Sequence, residues 1–246
     1  MFDVILLVVI TLVAGVLNGA TAMGFAILTA VGLSLVVDAK MAVLLLAITN
    51  PFVSGLQLSR HRAAASDGLR RTARLGVGGI IGVPVGAVLL GLVDERIVAL
   101  LLAIVTAAFI VNSLRRQRIH VSPRAEPYLS PLVGVVAGIA NGALGVSGPV
   151  LGSYLLSLNL AASAFAFTIS GLFFAMGVVR LVSLFALGQL NITLVLTGAA
   201  LLVPALVGQG IGFRLQAVIP RETFRRAVLI ALTIAAAALF VRALDP

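Results

Sequence analysis

Apolar residues fill this chain in long blocks, and polar residues are confined to short stretches between them. Val98–Leu114, Leu129–Val146 and Val228–Val241 contain no charge, and they reach or approach the ~20 residues a membrane-spanning helix needs. The pattern divides into ten segments. The first half holds 2–17, 24–37, 40–59, 75–93 and 96–114; the second holds 128–142, 149–158, 161–187, 190–213 and 224–241. The expected fold is an all-α polytopic membrane protein. It has two homologous halves, 1–120 and 121–246, of about five apolar segments each within one membrane domain.

The polar stretches set the expected topology. Three loops carry Arg60, Arg62, Arg70, Arg71 and Arg74; Arg115, Arg116, Arg118 and Arg124; and Arg214, Arg221, Arg225 and Arg226. Together they hold 13 of the 17 basic residues, and the positive-inside rule puts all three in the cytoplasm. The chain between 124 and 214 must then cross an even number of times. Segments 161–187 and 190–213 supply two crossings, so 128–142 and 149–158 must together return to the side they left. At ~1.5 Å per residue, 10 to 15 helical residues reach only ~15–22 Å of a ~30 Å core. Both halves are therefore expected to open with a re-entrant helical hairpin and to form inverted repeats. An alternative of eight spans in parallel repeats leaves the third basic loop outside, against the charge bias. Hairpin or full span for 2–37 and 128–158 stays open.

Inside the apolar blocks one motif occurs twice. Val13-Ala14-Gly15-Val16-Leu17-Asn18-Gly19-Ala20 matches Val136-Ala137-Gly138-Ile139-Ala140-Asn141-Gly142-Ala143 at six of eight positions. One extra residue in the second copy then aligns Gly24 with Gly148. A duplicated Gly- and Asn-bearing break at membrane depth is the form a transporter's substrate site takes. In the second copy Pro149 suits a first helical turn, with Gly148 or Ser147 as cap. The returning helix would present unpaired N–H groups and a positive dipole end within the bilayer, where glycines admit a ligand to the main chain. The candidate substrate residues are Asn18, Gly19, Gly24, Asn141, Gly142, Gly145, Ser147, Gly148 and Arg180. The spacings Gly15-x-x-x-Gly19 and Gly138-x-x-x-Gly142 equally suit helix packing, as do Gly82/Gly86 and Gly208/Gly212.

Composition agrees with the pattern. The chain is 61% hydrophobic and 10% charged, with a mean hydropathy of +1.21, beyond what a soluble domain can hide. The net charge of +9 is read as topology-setting arginine rather than nucleic-acid binding. With no cysteine, disulfides, thiolate catalysis and Cys-ligated zinc are excluded. Met1-Phe2-Asp3 lacks a basic region and a small-residue cleavage site, so the start is not expected to be a cleaved signal peptide. All eight acidic residues are expected in loops or at termini, and both histidines in or beside Arg-rich loops. Proton relays and hard-cation sites are thereby disfavoured, which leaves an anionic or neutral substrate. No cofactor and no metal site is expected, and an intramembrane enzyme would lack a base beside hydroxyls such as Ser147 and Ser170.

Arg180 is the one charge well inside an apolar segment. It suits either an anion in transit or snorkelling to the interface. Thr49, Asn50, Thr168 and Ser170 suit helix–helix hydrogen bonds or substrate contact, and Pro51, Pro84 and Pro204 would kink their helices. No ATP-binding loop of the Gly-x-x-x-x-Gly-Lys-(Ser/Thr) type is present.

The doubled pattern Ala-Gly-(Val/Ile)-x-Asn-Gly-Ala with its trailing Gly resembles the TauE/SafE family of sulfite exporters and related anion permeases. The chain length, the Arg-rich loop after the third segment, and Gly82-x-x-x-Gly86 with Gly208-x-x-x-Gly212 strengthen the likeness, which covers essentially the whole chain. The resemblance implies a multi-pass inner-membrane carrier of sulfite, organosulfur or related small anions, with membrane lipid and a small anion as partners, no nucleic acid, and a homo-oligomer compatible with it. The family's consecutive glycines are absent from both breaks, and the following proline is kept only as Pro149. A passive anion channel and a non-transporting scaffold subunit are the alternatives.

Overall fold

Helix boundaries follow local chemistry. The computed structural model describes residues 2–22, 24–115, 121–122, 124–216, 229–230, 232–238 and 240, and all regular structure among them is helical. The helices are α1 (Phe2–Thr21), α2 (Phe25–Leu33), α3 (Ala39–Arg60), α4 (Ala65–Leu92), α5 (Glu95–Arg115), α6 (Glu126–Leu144), α7 (Gly148–Ser157), α8 (Ala162–Ala186) and α9 (Ile192–Leu215). Asp38 caps α3 by accepting from the Met41 N–H at 2.6 Å, and Asn191 caps α9 through the Leu194 N–H at 2.8 Å. Each satisfies a backbone donor that the first helical turn leaves unpaired. Pro127 and Pro149 occupy the first turns of α6 and α7, where a missing N–H costs nothing.

Seven of these helices (α1, α3, α4, α5, α6, α8 and α9) are long and apolar enough to cross a membrane. α2 and α7, at 9 and 10 residues, are not. Residues 229–230, 232–238 and 240 of the tenth expected segment are helical. Met1, Arg116, Arg118, Arg221, Arg225, Arg226, His120, Glu222 and Asp245, all used in the sequence reading, lie outside the described residues.

Three expectations are corrected. Segment 75–93 begins ten residues early, at Ala65. Arginine is a good helix former, so Arg70, Arg71 and Arg74 ride on α4 rather than in a loop. Segments 2–17 and 128–142 extend to Thr21 and Leu144, so Asn18-Gly19 and Asn141-Gly142 belong to last helical turns and the breaks follow them. At 19 residues α6 reaches about 28 Å, longer than the hairpin argument assumed. Asp67, Glu95 and Glu126 lie within helices rather than in loops, and Glu95 and Glu126 occupy first turns, where carboxylates favour the helix dipole. Glu126 is buried and pairs with Arg71 at 2.9 Å.

Packing ties the two halves together. Gly78, Gly82 and Gly86 of α4 lie against the main chain of α6 at Pro131, Val135 and Ile139, and Gly134, Gly138 and Gly142 return the contact at Leu75, Gly79 and Val83. α1 and α9 meet in the same way, Gly15 and Gly19 against Ala205 and Gln209, Gly208 and Gly212 against Leu12 and Val16. A Cβ at any of these glycines would overlap a carbonyl oxygen, so all four Gly-x-x-x-Gly pairs are close-packing surfaces.

The residue pairs also fix helix directions. Contacts rise together along α1 and α9, and along α4 and α6. They run oppositely along α3 and α8, where Gly55 meets Phe174, Pro51 meets Gly177 and Val43 meets Arg180. Thus α3 and α8 are antiparallel. Pro51, Pro84 and Pro204 lie inside α3, α4 and α9.

Candidate substrate site at the second helix break

The two breaks are built alike. At the end of α6 the Gly145 N–H donates to the Asn141 carbonyl at 2.7 Å, and Gly145 turns left-handed at φ 73°. At the end of α1 the Ala22 N–H donates to the Asn18 carbonyl at 2.7 Å, with Ala22 at φ 60°. These are left-handed helix terminators; glycine takes that conformation freely, and alanine does so at a cost. The next helices start at Phe25 and Gly148, so the offset between copies is 123 residues throughout. No insertion is needed, and Gly24 corresponds to Ser147, not to Gly148.

At the second break Arg180 arrives from α8. Its side chain is only 1% exposed. It donates from Nε to the Gly142 carbonyl at 3.3 Å and from Nη2 to the Val43 carbonyl of α3 at 3.0 Å. Nη1 has no partner. Nη1 presses on Gly145, leaving no room there for a Cβ. Of the two readings of this arginine, snorkelling is not the conformation observed. Beside it Asn141 donates from Nδ2 to Ser147 Oγ at 3.2 Å, and its buried Oδ1 is unpartnered.

The electrostatics follow from burial. Among the described residues no carboxylate pairs with Arg180; Glu126 is engaged with Arg71. A buried cation without a counter-charge is strongly unfavourable. Two carbonyl dipoles offset part of that cost, and an anion at Nη1 would offset more.

The nine sequence candidates fall into two groups. Asn141, Gly142, Gly145, Ser147 and Arg180 come together, with Gly148 opening α7 beside Phe173. Asn18, Gly19 and Gly24 form the first break, where Asn18 is buried and Gly19 packs on Gln209 and Phe213. That break lies at the level of Gln57, which bonds Gln209, whereas Arg180 is held at Val43. Fourteen residues of α3 separate these levels, about 21 Å. The breaks do not converge.

Thr49 donates back to its own helix, to the Leu45 and Leu46 carbonyls at 3.4 Å each. Asn50 accepts from Ser54 of the same helix at 3.5 Å and packs near Gly177. The Thr168 and Ser170 hydroxyls are buried without partners. At the first break Phe25 is buried in the core.

A pair of buried glutamines escaped the sequence reading. Gln209 donates from Nε2 to the Val53 carbonyl at 2.9 Å and to Gln57 Oε1 at 3.0 Å. Their signal was present: glutamines within the blocks 40–59 and 190–213, where an amide is costly unless paired. A cavity of about 300 Å³ also lies between the first turns of α3 and α9, lined by Lys40, Leu44 and Asn191 among others. Lys40 precedes Val43, whose carbonyl holds Arg180, by three residues of α3, nearly one turn.

The family model described as sulfite exporter TauE/SafE matches residues 7–239. No curated protein and no solved structure matches the chain.

Proposed function

This chain belongs to the TauE/SafE family of sulfite exporters, and from that premise we propose that Arg180 and the second helix break bind a small sulfur oxyanion during export. The family is one of membrane transporters and not of enzymes, and the chain is a multi-pass membrane protein. One observation carries the finer reading: a buried, unpaired guanidinium with a free N–H, set against a glycine at a break between helices. Arginine presents planar donors that suit oxyanions, and a desolvated site lets each donor count for more than in water.

The carrier works by alternating access in the inner membrane. The halves 1–120 and 121–246 are inverted repeats in this reading, with α1–α2 and α6–α7 as counterpart hairpins. The antiparallel course of α3 and α8 supports the inversion. So does the exchange in which the fourth helix of each half packs on the first helix of the other. With the arginine-rich ends in the cytoplasm, the second break lies toward the outer face and the first toward the inner. Lys40, the chain's one lysine, lines the cavity on the outward side of Arg180. Substrate would pass from the first break, past α3, to Arg180.

The deciding experiment is radiolabelled sulfite counterflow in proteoliposomes of the purified chain, with Asn141→Ala and Arg180→Met alongside. Saturable counterflow lost in both variants is the expected result. Normal counterflow in both would remove the second break as the site, and non-saturating flux would indicate a passive pore.

A further inference from the structure

The Gln57–Gln209 pair lies on the two helices beside the first break, far from Arg180. Gln209 is fully buried and Gln57 nearly so. The main chain of Gln209 packs directly on Gly15 and Gly19 of α1. Its amide orientation is fixed by chemistry: the group facing the Val53 carbonyl must be a donor, so it is Nε2. The atom left without a partner is therefore Oε1, an acceptor. Gln57 spends its own Oε1 on Gln209, which leaves its Nε2 to donate toward His61 Nε2 at 3.4 Å. The pair thus offers a ligand no free donor at Gln209, only an acceptor.

The second break has the opposite sense, because Arg180 Nη1 is an unpartnered donor. A fully ionised oxyanion has only acceptor oxygens; it satisfies Arg180 and is repelled by Gln209 Oε1. A monoprotonated oxyanion suits each in turn, since its O–H can donate to Oε1 at the first break and its charged oxygens can meet Arg180 at the second. An unpaired buried acceptor is unfavourable, and that cost is relieved when a donor occupies the site.

We propose that Gln209, oriented by Gln57 and Val53, is a specificity residue at the first break that selects oxyanions bearing a hydroxyl, such as hydrogen sulfite, over anions that lack one. This rests on the transport reading above and adds to it the protonation form of the cargo. The selection takes place about 21 Å along α3 from the arginine site, so the cargo meets the two tests in sequence.

The test compares hydrogen sulfite with methanesulfonate, a near-isostere that has no hydroxyl proton near neutral pH. Half-saturation and rate are measured for both in proteoliposomes, for wild type and Gln209→Leu. Wild type should prefer hydrogen sulfite by about tenfold, since a site built to bond an O–H discriminates against analogues without it. In Gln209→Leu that preference should collapse, through loss of hydrogen sulfite transport while methanesulfonate transport persists. Equal handling of the two anions by wild type, or an unchanged preference in the variant, would overturn the proposal. If wild type moves neither anion, the failure belongs to the transport reading instead.

A wild-type pH series covers the case in which the variant does not fold. At constant total sulfite, flux should follow the monoprotonated form. Methanesulfonate flux measured alongside removes contributions from protein groups, including His61 on Gln57 and its neighbour Arg60. Flux that follows the doubly charged form would likewise overturn the assignment.

Discussion

The Nη1 atom of Arg180 occupies the space in which a side chain on Gly145 would begin. Residue 145 is also left-handed, at φ 73°, so both backbone and packing favour glycine there. Gly145→Ala should add about 1–2 kcal/mol of backbone strain and push the guanidinium off the Gly142 carbonyl. We expect a lower melting temperature in detergent and at least a tenfold loss of sulfite counterflow. A variant with native melting and native flux would mean that the contact between these two residues serves neither stability nor transport.

Arg180 itself separates stability from function. Arg180→Met removes a buried unpaired charge while keeping the length of the side chain, a replacement that is commonly neutral or stabilising. The variant should melt at or above the wild-type temperature, yet show no sulfite-induced stabilisation and no counterflow. Arg180→Lys keeps the charge but cannot reach the Gly142 and Val43 carbonyls with a planar fork. Its flux should fall below about a tenth of wild type, a loss governed by geometry rather than charge. Sulfite-dependent melting shifts, read beside flux, check both variants.

Much of this was legible in the sequence, for reasons that particular residues make plain. Apolar blocks bounded by Asp38, Glu95 or Asn191 announce spanning helices, because an uninterrupted apolar stretch in lipid must satisfy its backbone within itself. The doubled Asn-Gly motif located both breaks, though three residues early. Asn18 and Asn141 supply the carbonyls that close the last turn, and the chain leaves the helix only at Ala22 and Gly145. Glycine spacing alone could not tell packing from binding. Gly142 faces the Val83 carbonyl, so Gly142→Leu would disturb the α4–α6 contact and is a poor probe of transport. The partners of Arg180 were beyond reach, since Val43 contributes a carbonyl that any residue type would supply. Gln57 and Gln209 were readable as costly amides, but only folding brings them together across 152 positions.

The ion pair at the start of α6 is a local anchor. Arg71 Nε donates to Glu126 Oε1 at 2.9 Å, with side-chain exposures of 34% and 11%. Nearby, Ser130 and Tyr154 share a hydrogen bond of 2.8 Å, joining α6 to α7. Because Arg71 is about a third exposed, the pair contributes no more than about 1 kcal/mol. Glu126→Gln should therefore lower the melting temperature by a few degrees at most and leave half-saturation for sulfite unchanged. A large loss of transport at full stability would instead give Glu126 a direct part in the cycle.

The remaining prediction concerns pH and lies at the arginine-rich end of α3. His61 is held below the ordinary imidazole value of 6.5, first by burial and then by the neighbouring Arg60 charge. Its Nε2 accepts from Gln57, and protonation there would set a donor against a donor. A histidine whose folded value is depressed binds fewer protons folded than unfolded, so stability rises with pH across the interval between the two values. The contribution is fully present above 6.5 and is lost as the pH falls through that value toward the lower folded one. Wild-type protein in detergent should lose melting temperature on acidification below about 6.5. His61→Asn should lose less, because asparagine keeps a polar side chain without titrating. The difference between the two curves isolates His61 from every other titrating group, and parallel curves would show that its environment does not couple protonation to the α3–α9 contact.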